Sequence, residues 1–289
     1  MNTILNFAPL ALFIIMLGVG LSISIKDFTK VFQNYKVLLI GLSLQMVILP
    51  FIGFLFAIFS PVALVFKFGM ILITCVPSAV FSNYITKLIS GNVALSVSLT
   101  AITASLSFIT IPFILLIVTP FVLDGASIFQ ELDFIKSSQE LLLITTIPVL
   151  IGLVINTKFS IFVKKINKYY SNFSLLLFVV IILTAWFSEW NIIITLYKSI
   201  GLLVTALALV VLIVSYTLVN LFNLNEANKK TIVVETFVQN AAMAIIVGGI
   251  TFGAGSGYLA IAALYALLQY KILLILWATN KLFKKFNKS

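Results

Sequence analysis

Apolar runs of about 20 residues follow one another from end to end of this chain, and no other feature restricts its fold so tightly. A run of that length crosses the hydrocarbon layer as an α-helix, whereas the strands of a membrane barrel alternate polar and apolar residues over roughly ten positions. Within lipid every backbone N–H and C=O has to be paired inside the protein, and a helix meets that demand by itself. The runs fall at 5–25, 37–58, 67–88, 92–122, 140–158, 171–188, 199–222, 231–252 and 258–280. The expected fold class is an all-α membrane protein with about nine transmembrane helices. Composition agrees: 62% of the residues are hydrophobic and 9% charged, more apolar than a soluble domain of 289 residues needs for its core.

An odd number of spans puts the termini on opposite faces, and the lysines choose the orientation. With the C-terminus inside, the cytoplasmic segments hold Lys26, Lys30, Lys36, Lys87, Lys158, Lys164, Lys165, Lys168, Lys229, Lys230, Lys281, Lys284, Lys285 and Lys288. The other face holds Lys67, Lys136 and Lys198, and Lys271 lies within the last span. The positive-inside rule therefore predicts an outer N-terminus and a cytoplasmic C-terminus, in the cell (inner) membrane. The flank Met1 to Asn6 has no positive residue and no small-residue cleavage site closes the first run, so that run is expected to stay as a helix. The polar stretch 123–139 reads as an outer loop and 281–289 as a cytoplasmic tail.

Several function classes drop out. A single cysteine, Cys75, makes neither a disulfide framework nor a cysteine-cluster metal site, and the chain has no histidine, the commonest metal ligand and proton shuttle. Zinc or iron chemistry is not expected on those grounds, and neither is a cofactor. The net charge of +10 comes from lysines lying between apolar runs, so they read as topology signals and not as a nucleic-acid surface.

Function then has to lie in polar residues at membrane depth, where each is costly. In the third span, C-V-P-S-A-V-F-S-N-Y puts Pro77 mid-helix with Ser82 and Asn83 about one turn further on; a mid-helix proline frees backbone carbonyls, so this helix is expected to be broken. In the eighth, V-E-T-F-V-Q-N sets Glu235 and Gln239 four apart on one face, with Asn240 beside them. The fourth begins G-N-V-A-L-S-V-S-L-T, with Ser96 and Thr100 likewise four apart, and Gln45 is an isolated amide in the second. Ser and Thr here could simply pack helices or bond back to the preceding turn. Glu235 is different, because a lone carboxylate in mid-span either stays protonated or holds a cation. One carboxylate among neutral oxygens suits a hard, weakly charged cation, sodium or a proton. Broken helices in both halves fit an alternating-access carrier.

These residues resemble the bile acid:sodium symporter family, bacterial homologues included. The resemblance rests on L-I-G-L-S-L-Q around Gln45, C-V-P followed by Ser82 and Asn83, G-N-V-A-L-S-V-S-L-T from Gly91 to Thr100, and the E-x-x-x-Q-N of Glu235 to Asn240. It implies an inverted-repeat transporter in which a panel domain (5–25 and 140–190) faces a core domain (37–122 and 199–280) containing two crossed, broken helices. It also implies one sodium site at Ser82, Asn83, Ser96, Thr100 and Glu235. A second would use Gln45, Glu235 and Gln239 with the carbonyls of Thr236 and Val238, and Asn240 would face the substrate cavity. The chain begins at the family's second helix, as the nine-helix members do.

Two departures stand out. Relatives often read Pro-Gly-Gly-Thr where this chain has Pro77, Ser78, Ala79 and Val80, and glycine where it has Phe237. Both changes add bulk at the crossing, and the expectation is that they reshape the substrate cavity and leave the cation ligands untouched. Lys271 is foreign to the family pattern; it either snorkels toward the inner interface or serves as counter-ion to an anionic substrate. The expected function is sodium-coupled symport of a small organic anion, such as a hydroxy- or keto-acid, across a lipid bilayer. Its rivals are a proton-coupled or uncoupled carrier or channel of the same fold, an intramembrane enzyme, for which no nucleophile–base pair is present, and an arsenite exporter using Cys75, which otherwise reads as a packing residue.

Overall fold

A computed structural model describes residues 2–122, 134–188, 190–252 and 257–286. They are helical almost throughout, with α1 (Asn2–Leu21), α2 (Ile25–Gln33), α3 (Tyr35–Ser43), α4 (Leu49–Phe59), α5 (Leu64–Cys75), α6 (Val80–Leu88), α7 (Val93–Val122), α8 (Phe134–Leu141), α9 (Ile147–Lys158), α10 (Ser160–Ser188), α11 (Trp190–Leu221), α12 (Glu226–Phe237), α13 (Ala241–Phe252) and α14 (Gly257–Phe286). No strand occurs among the described residues, only one isolated bridge between Ser78 and Gln239.

Among the described residues, six helices are long and apolar enough to cross a membrane: Tyr35–Phe59, Val93–Val122, Ile135–Lys158, Ser160–Phe187, Trp190–Leu221 and Leu259–Ala278. The apolar run at 5–25 corresponds to α1, whose apolar part is Phe7–Leu21, and those at 67–88 and 231–252 are each divided into two short helices. A helix of 12 residues such as α5 is about 18 Å long, too short for a 30 Å hydrocarbon layer, so each divided run depends on its second half.

Several boundaries differ from the sequence reading. The short α2 was not expected; its mixture of Lys and Asp with Ile, Phe and Val lacks the uninterrupted apolar run that marks a span. The polar stretch expected as a loop through residue 139 is already helical from Phe134, and 123–133, with Asp124, Glu131 and Asp133, lies outside the described residues, as does Glu189. The presumed tail continues α14 to Phe286, with 287–289 outside the description. Helix α10 starts at Ser160, eleven residues before its apolar run, because the polar segment with Lys164, Lys165 and Lys168 has no helix breaker.

Two five-residue π-turns, Leu44–Ile48 and Leu142–Thr146, lie inside otherwise continuous helices, and each is followed by a proline at the second position of the next segment, Pro50 and Pro148. Proline has no N–H to give to the turn before it, so the helix widens locally. The first of these turns carries Gln45, buried at 3% exposure.

Close packing depends on small residues. α1 lies against α9 and α10, and a Cβ on Gly20 would stand 2.1 Å from the Val149 carbonyl oxygen, while one on Gly152 would stand 2.4 Å from that of Leu17. Backbone cannot yield as a side chain does, so glycine alone permits this approach. Elsewhere α5 packs between α4 and α14, α11 packs against α12 and α14, and α7 touches α5, α6 and α12. Gly20→Ala is expected to cost about 1–3 kcal/mol and to lower the detergent melting midpoint by roughly 2–4 °C for each kcal/mol lost. Gly249→Ala, which meets nothing within 4 Å, should leave the midpoint unchanged or raise it.

Candidate functional site

The two divided helices meet at their breaks. α5 stops at Cys75, two residues before Pro77; Val76 (ψ 152°) and Ala79 (ψ 150°) are extended, and α6 starts at Val80. The second break, 238–240, contains neither proline nor glycine, and its cause is tertiary. Gln269 of α14 accepts a hydrogen bond from the Gln239 N–H at 3.0 Å and donates to the Gln239 carbonyl at 3.2 Å, while Asn240 Oδ1 accepts from the Met243 N–H at 3.0 Å and caps α13. The breaks also pair with each other: the Ala79 N–H donates to the Val238 carbonyl and the Asn240 N–H to the Pro77 carbonyl, both at 3.0 Å. Backbone groups that lipid could not satisfy are satisfied by the partner break.

Against this crossing lies Glu235, in the last turn of α12 and 1% exposed. Its Oε1 accepts from Ser82 Oγ and Ser96 Oγ, each at 2.5 Å, and its Oε2 accepts from Thr100 Oγ1 at 2.8 Å and from Ser78 Oγ. Ser82 lies in the first turn of α6, so the carboxylate faces the positive end of that helix. Ser96 and Thr100 reach it from one face of α7, in accord with their spacing of four. Asn83 joins through Ser96, whose Oγ is 2.7 Å from Asn83 Oδ1.

Protons are scarce in this cluster. Ser96 has one hydroxyl hydrogen, yet it stands within hydrogen-bond distance of two acceptors, Glu235 Oε1 and Asn83 Oδ1, and 3.3 Å from Thr86 Oγ1. Ser78 and Thr100 both turn to Oε2 and also lie 2.8 Å from each other. A proton or a metal cation would satisfy the oxygens that these hydrogens do not reach, and at Ser96 so would the Asn83 amide turned to present Nδ2.

Beneath the carboxylate, Gln45 Nε2 donates to the Glu235 main-chain carbonyl at 2.9 Å and Gln239 Nε2 to the Thr236 carbonyl at 2.5 Å. The other amide oxygens, Gln45 Oε1 and Gln239 Oε1, are buried with no hydrogen-bond partner. Turning either amide by half a revolution would aim oxygen at carbonyl oxygen, an arrangement that only a cation stabilises. The Val238 carbonyl, expected beside them, is already engaged by Ala79 N–H.

Asn240 is 1% exposed, and its Nδ2 has no partner. Lys271 is not brought to the cluster: it is exposed, its Nζ 3.3 Å from the Tyr197 hydroxyl and 5.8 Å from that ring's centroid on α11. Phe237 is buried in the apolar core and Cys75 lies in the same core at 8% exposure. Sequence reasoning missed two residues. Ser78 was read as bulk beside the ligands, and its hydroxyl instead binds Glu235; it lies in the extended break, where no helical spacing signals it. Gln269 gives no local signal, being one amide in a helix whose partner is 30 residues away.

The sodium bile acid symporter family model matches residues 9–196. The chain belongs to that family. Relatives include a probable chloroplastic sodium/metabolite cotransporter of Oryza sativa subsp. japonica, 35% identical over 52% of this chain and 34% of its own length. An uncharacterized sodium-dependent transporter of Bacillus subtilis is 29% identical over 53% of this chain and 46% of its own, and the ileal sodium/bile acid cotransporter of Homo sapiens 28% identical over 50% and 41%. The chain thus spans less than half the length of each of these three relatives. The family and these relatives are transporters and not enzymes, and with its apolar helices the chain is a multi-pass membrane protein. The family match contains Gln45, Ser78, Ser82, Asn83, Ser96 and Thr100 and ends before Glu235, Gln239 and Asn240. Direct hydrogen bonds connect the two groups. Gln269→Leu strips both partners from the Gln239 backbone and is expected to destabilise the protein by about 2–5 kcal/mol, read as a fall in the detergent melting midpoint.

Proposed function

We propose that this protein is a sodium-coupled secondary symporter of a small organic monoanion. The observation that carries this reading is the set of oxygens without hydrogens: the crowded shell of Glu235 and the unpartnered Oε1 atoms of Gln45 and Gln239. One sodium ion would bind among Ser82, Asn83, Ser96, Thr100 and the Glu235 carboxylate. A second would bind among Gln45 Oε1, Gln239 Oε1 and the Glu235 and Thr236 carbonyls, with Val238 contributing only if its carbonyl accepts a second partner. A proton on Glu235 would relieve the first group but leave the two glutamine oxygens as they are, which favours sodium over a proton-driven carrier. The names of the relatives support the same choice.

Two sodium charges against one carboxylate leave one positive charge, which a monoanionic substrate balances. The substrate would meet the unpartnered Asn240 Nδ2, a donor beside the crossing and the positive N-terminus of α13. Sodium bound to the last turn of α12 and the first of α6 would stabilise the crossing and so complete the substrate site. Coupling of this kind is linkage, with a typical size of about 1–3 kcal/mol. Mutual packing of α1, α9 and α10 supports reading them as a panel that rocks against a core of α3–α7 and α11–α14, and the paired breaks support an inverted repeat with nine spans and alternating access. The lysine distribution supports an outer N-terminus in the cell membrane.

Proteoliposomes given small carboxylates with and without an inward sodium gradient test the reading directly. Wild-type uptake should require sodium, and Glu235→Gln should reduce it to background while still inserting; sodium-indifferent uptake of every carboxylate would overturn the assignment. Gln45→Ala and Gln239→Ala should raise the half-saturating sodium concentration and move the Hill coefficient from about two toward one. A C-terminal fluorescent-protein fusion should fluoresce and a C-terminal alkaline phosphatase fusion should be inactive, as a cytoplasmic end requires.

A further inference from the structure

We propose that Ser78, a residue outside the ligand set that the family resemblance implies, is a further oxygen of the ion cage and the one that ties the cage to the helix crossing. This rests on the sodium reading above. Ser78 occupies the extended break between α5 and α6 and is fully buried at 0% exposure. A hydroxyl at that depth is costly unless it is bonded, and this one donates to Glu235 Oε2 while standing 2.8 Å from Thr100 Oγ1. Those three oxygens form a closed triangle with two hydroxyl hydrogens between them, so one edge has none. The same shortage marks Ser96 against Glu235 and Asn83 on the other side of the carboxylate. Each carboxylate oxygen thus has two hydroxyl donors. Without the Ser78 hydroxyl, Oε2 would have Thr100 alone.

The backbone of the same residue does a second job. Ser78 is bridged to Gln239, and the hydrogen bonds on either side of that pair run from Ala79 to Val238 and from Asn240 to Pro77. Its side chain therefore touches the carboxylate of one proposed ion site while its main chain lies against a glutamine of the other. A cation drawn to Glu235 pulls on the crossing through Ser78, and movement at the crossing shifts an oxygen of the cage. Sodium affinity in this chain should depend on that hydroxyl.

The test needs only sodium and the purified full chain. Melting midpoints in detergent are followed against sodium chloride, with choline chloride holding ionic strength constant, because an ion that binds the folded state raises the midpoint with its own concentration dependence. Ser78→Ala and Ser78→Gly should each shift the half-maximal sodium concentration upward by about tenfold or more, the loss expected for a hydrogen bond or ligand contact at a charged group. Ser78→Thr, which keeps the hydroxyl, should restore a value close to the wild type. A purely structural serine would lower the sodium-free midpoint and leave the concentration dependence in place, and that result in either the alanine or the glycine variant overturns the proposal. A wild type that shows no sodium-dependent stabilisation overturns the sodium reading itself.

Discussion

A carboxylate held at membrane depth governs the rest of this molecule. Placing an acid in mid-span costs on the order of 3 kcal/mol on insertion scales, and each hydrogen bond to a charged group returns about 1.5–3 kcal/mol. Glu235 collects four hydroxyl donors, from the break before α6, from α6 itself and twice from α7. No single helix can present donors to a carboxylate from so many directions. Three stretches have to converge, and the divided helices α5–α6 and α12–α13 are the means of bringing them to the carboxylate.

The two breaks look alike but arise differently. Pro77 interrupts its helix locally, since the ring removes a donor and pushes Val76 into extended backbone. The break at 238–240 has no such residue and is held open from outside, by Gln269 reaching from α14 to both polar groups of Gln239. One break is thus written into its own segment and the other is imposed by a neighbour. Because the breaks hydrogen-bond to each other, neither is independent, and a change at one is felt at the other.

Much of the site could be read before any coordinates. Ser96 with Thr100 was recognisable because polar residues four apart share a helix face, whereas Glu235 and Gln239 stood out because polar residues in apolar spans are few: α12 ends at Phe237, so Gln239 lies in the break and not on a helix face with Glu235. The same logic failed where helical spacing does not apply. Ser78 lies in extended backbone, so its role as a donor to Glu235 depends on how the break is folded. Lys271 read as a possible substrate contact because it is a cation within an apolar run, yet rotation about the axis of α14 turns it outward to Tyr197. Periodicity tells which residues share a face and says nothing of what that face meets.

By itself the sequence determined that the chain is helical and embedded in lipid, since runs of about 20 apolar residues have no other stable form there, and it marked the few polar residues costly enough to need a reason. The order of those residues suggested the family, and the family model over 9–196 shows it. Only the tertiary structure decided which oxygens surround Glu235, which amide atoms remain unpartnered and what keeps the second break open. The shell of Glu235 and the Gln45 contact depend on segments more than 130 residues apart, and the second break on Gln269 reaching across 30 residues; hydrogen bonding at that range is set by packing and not by local pattern.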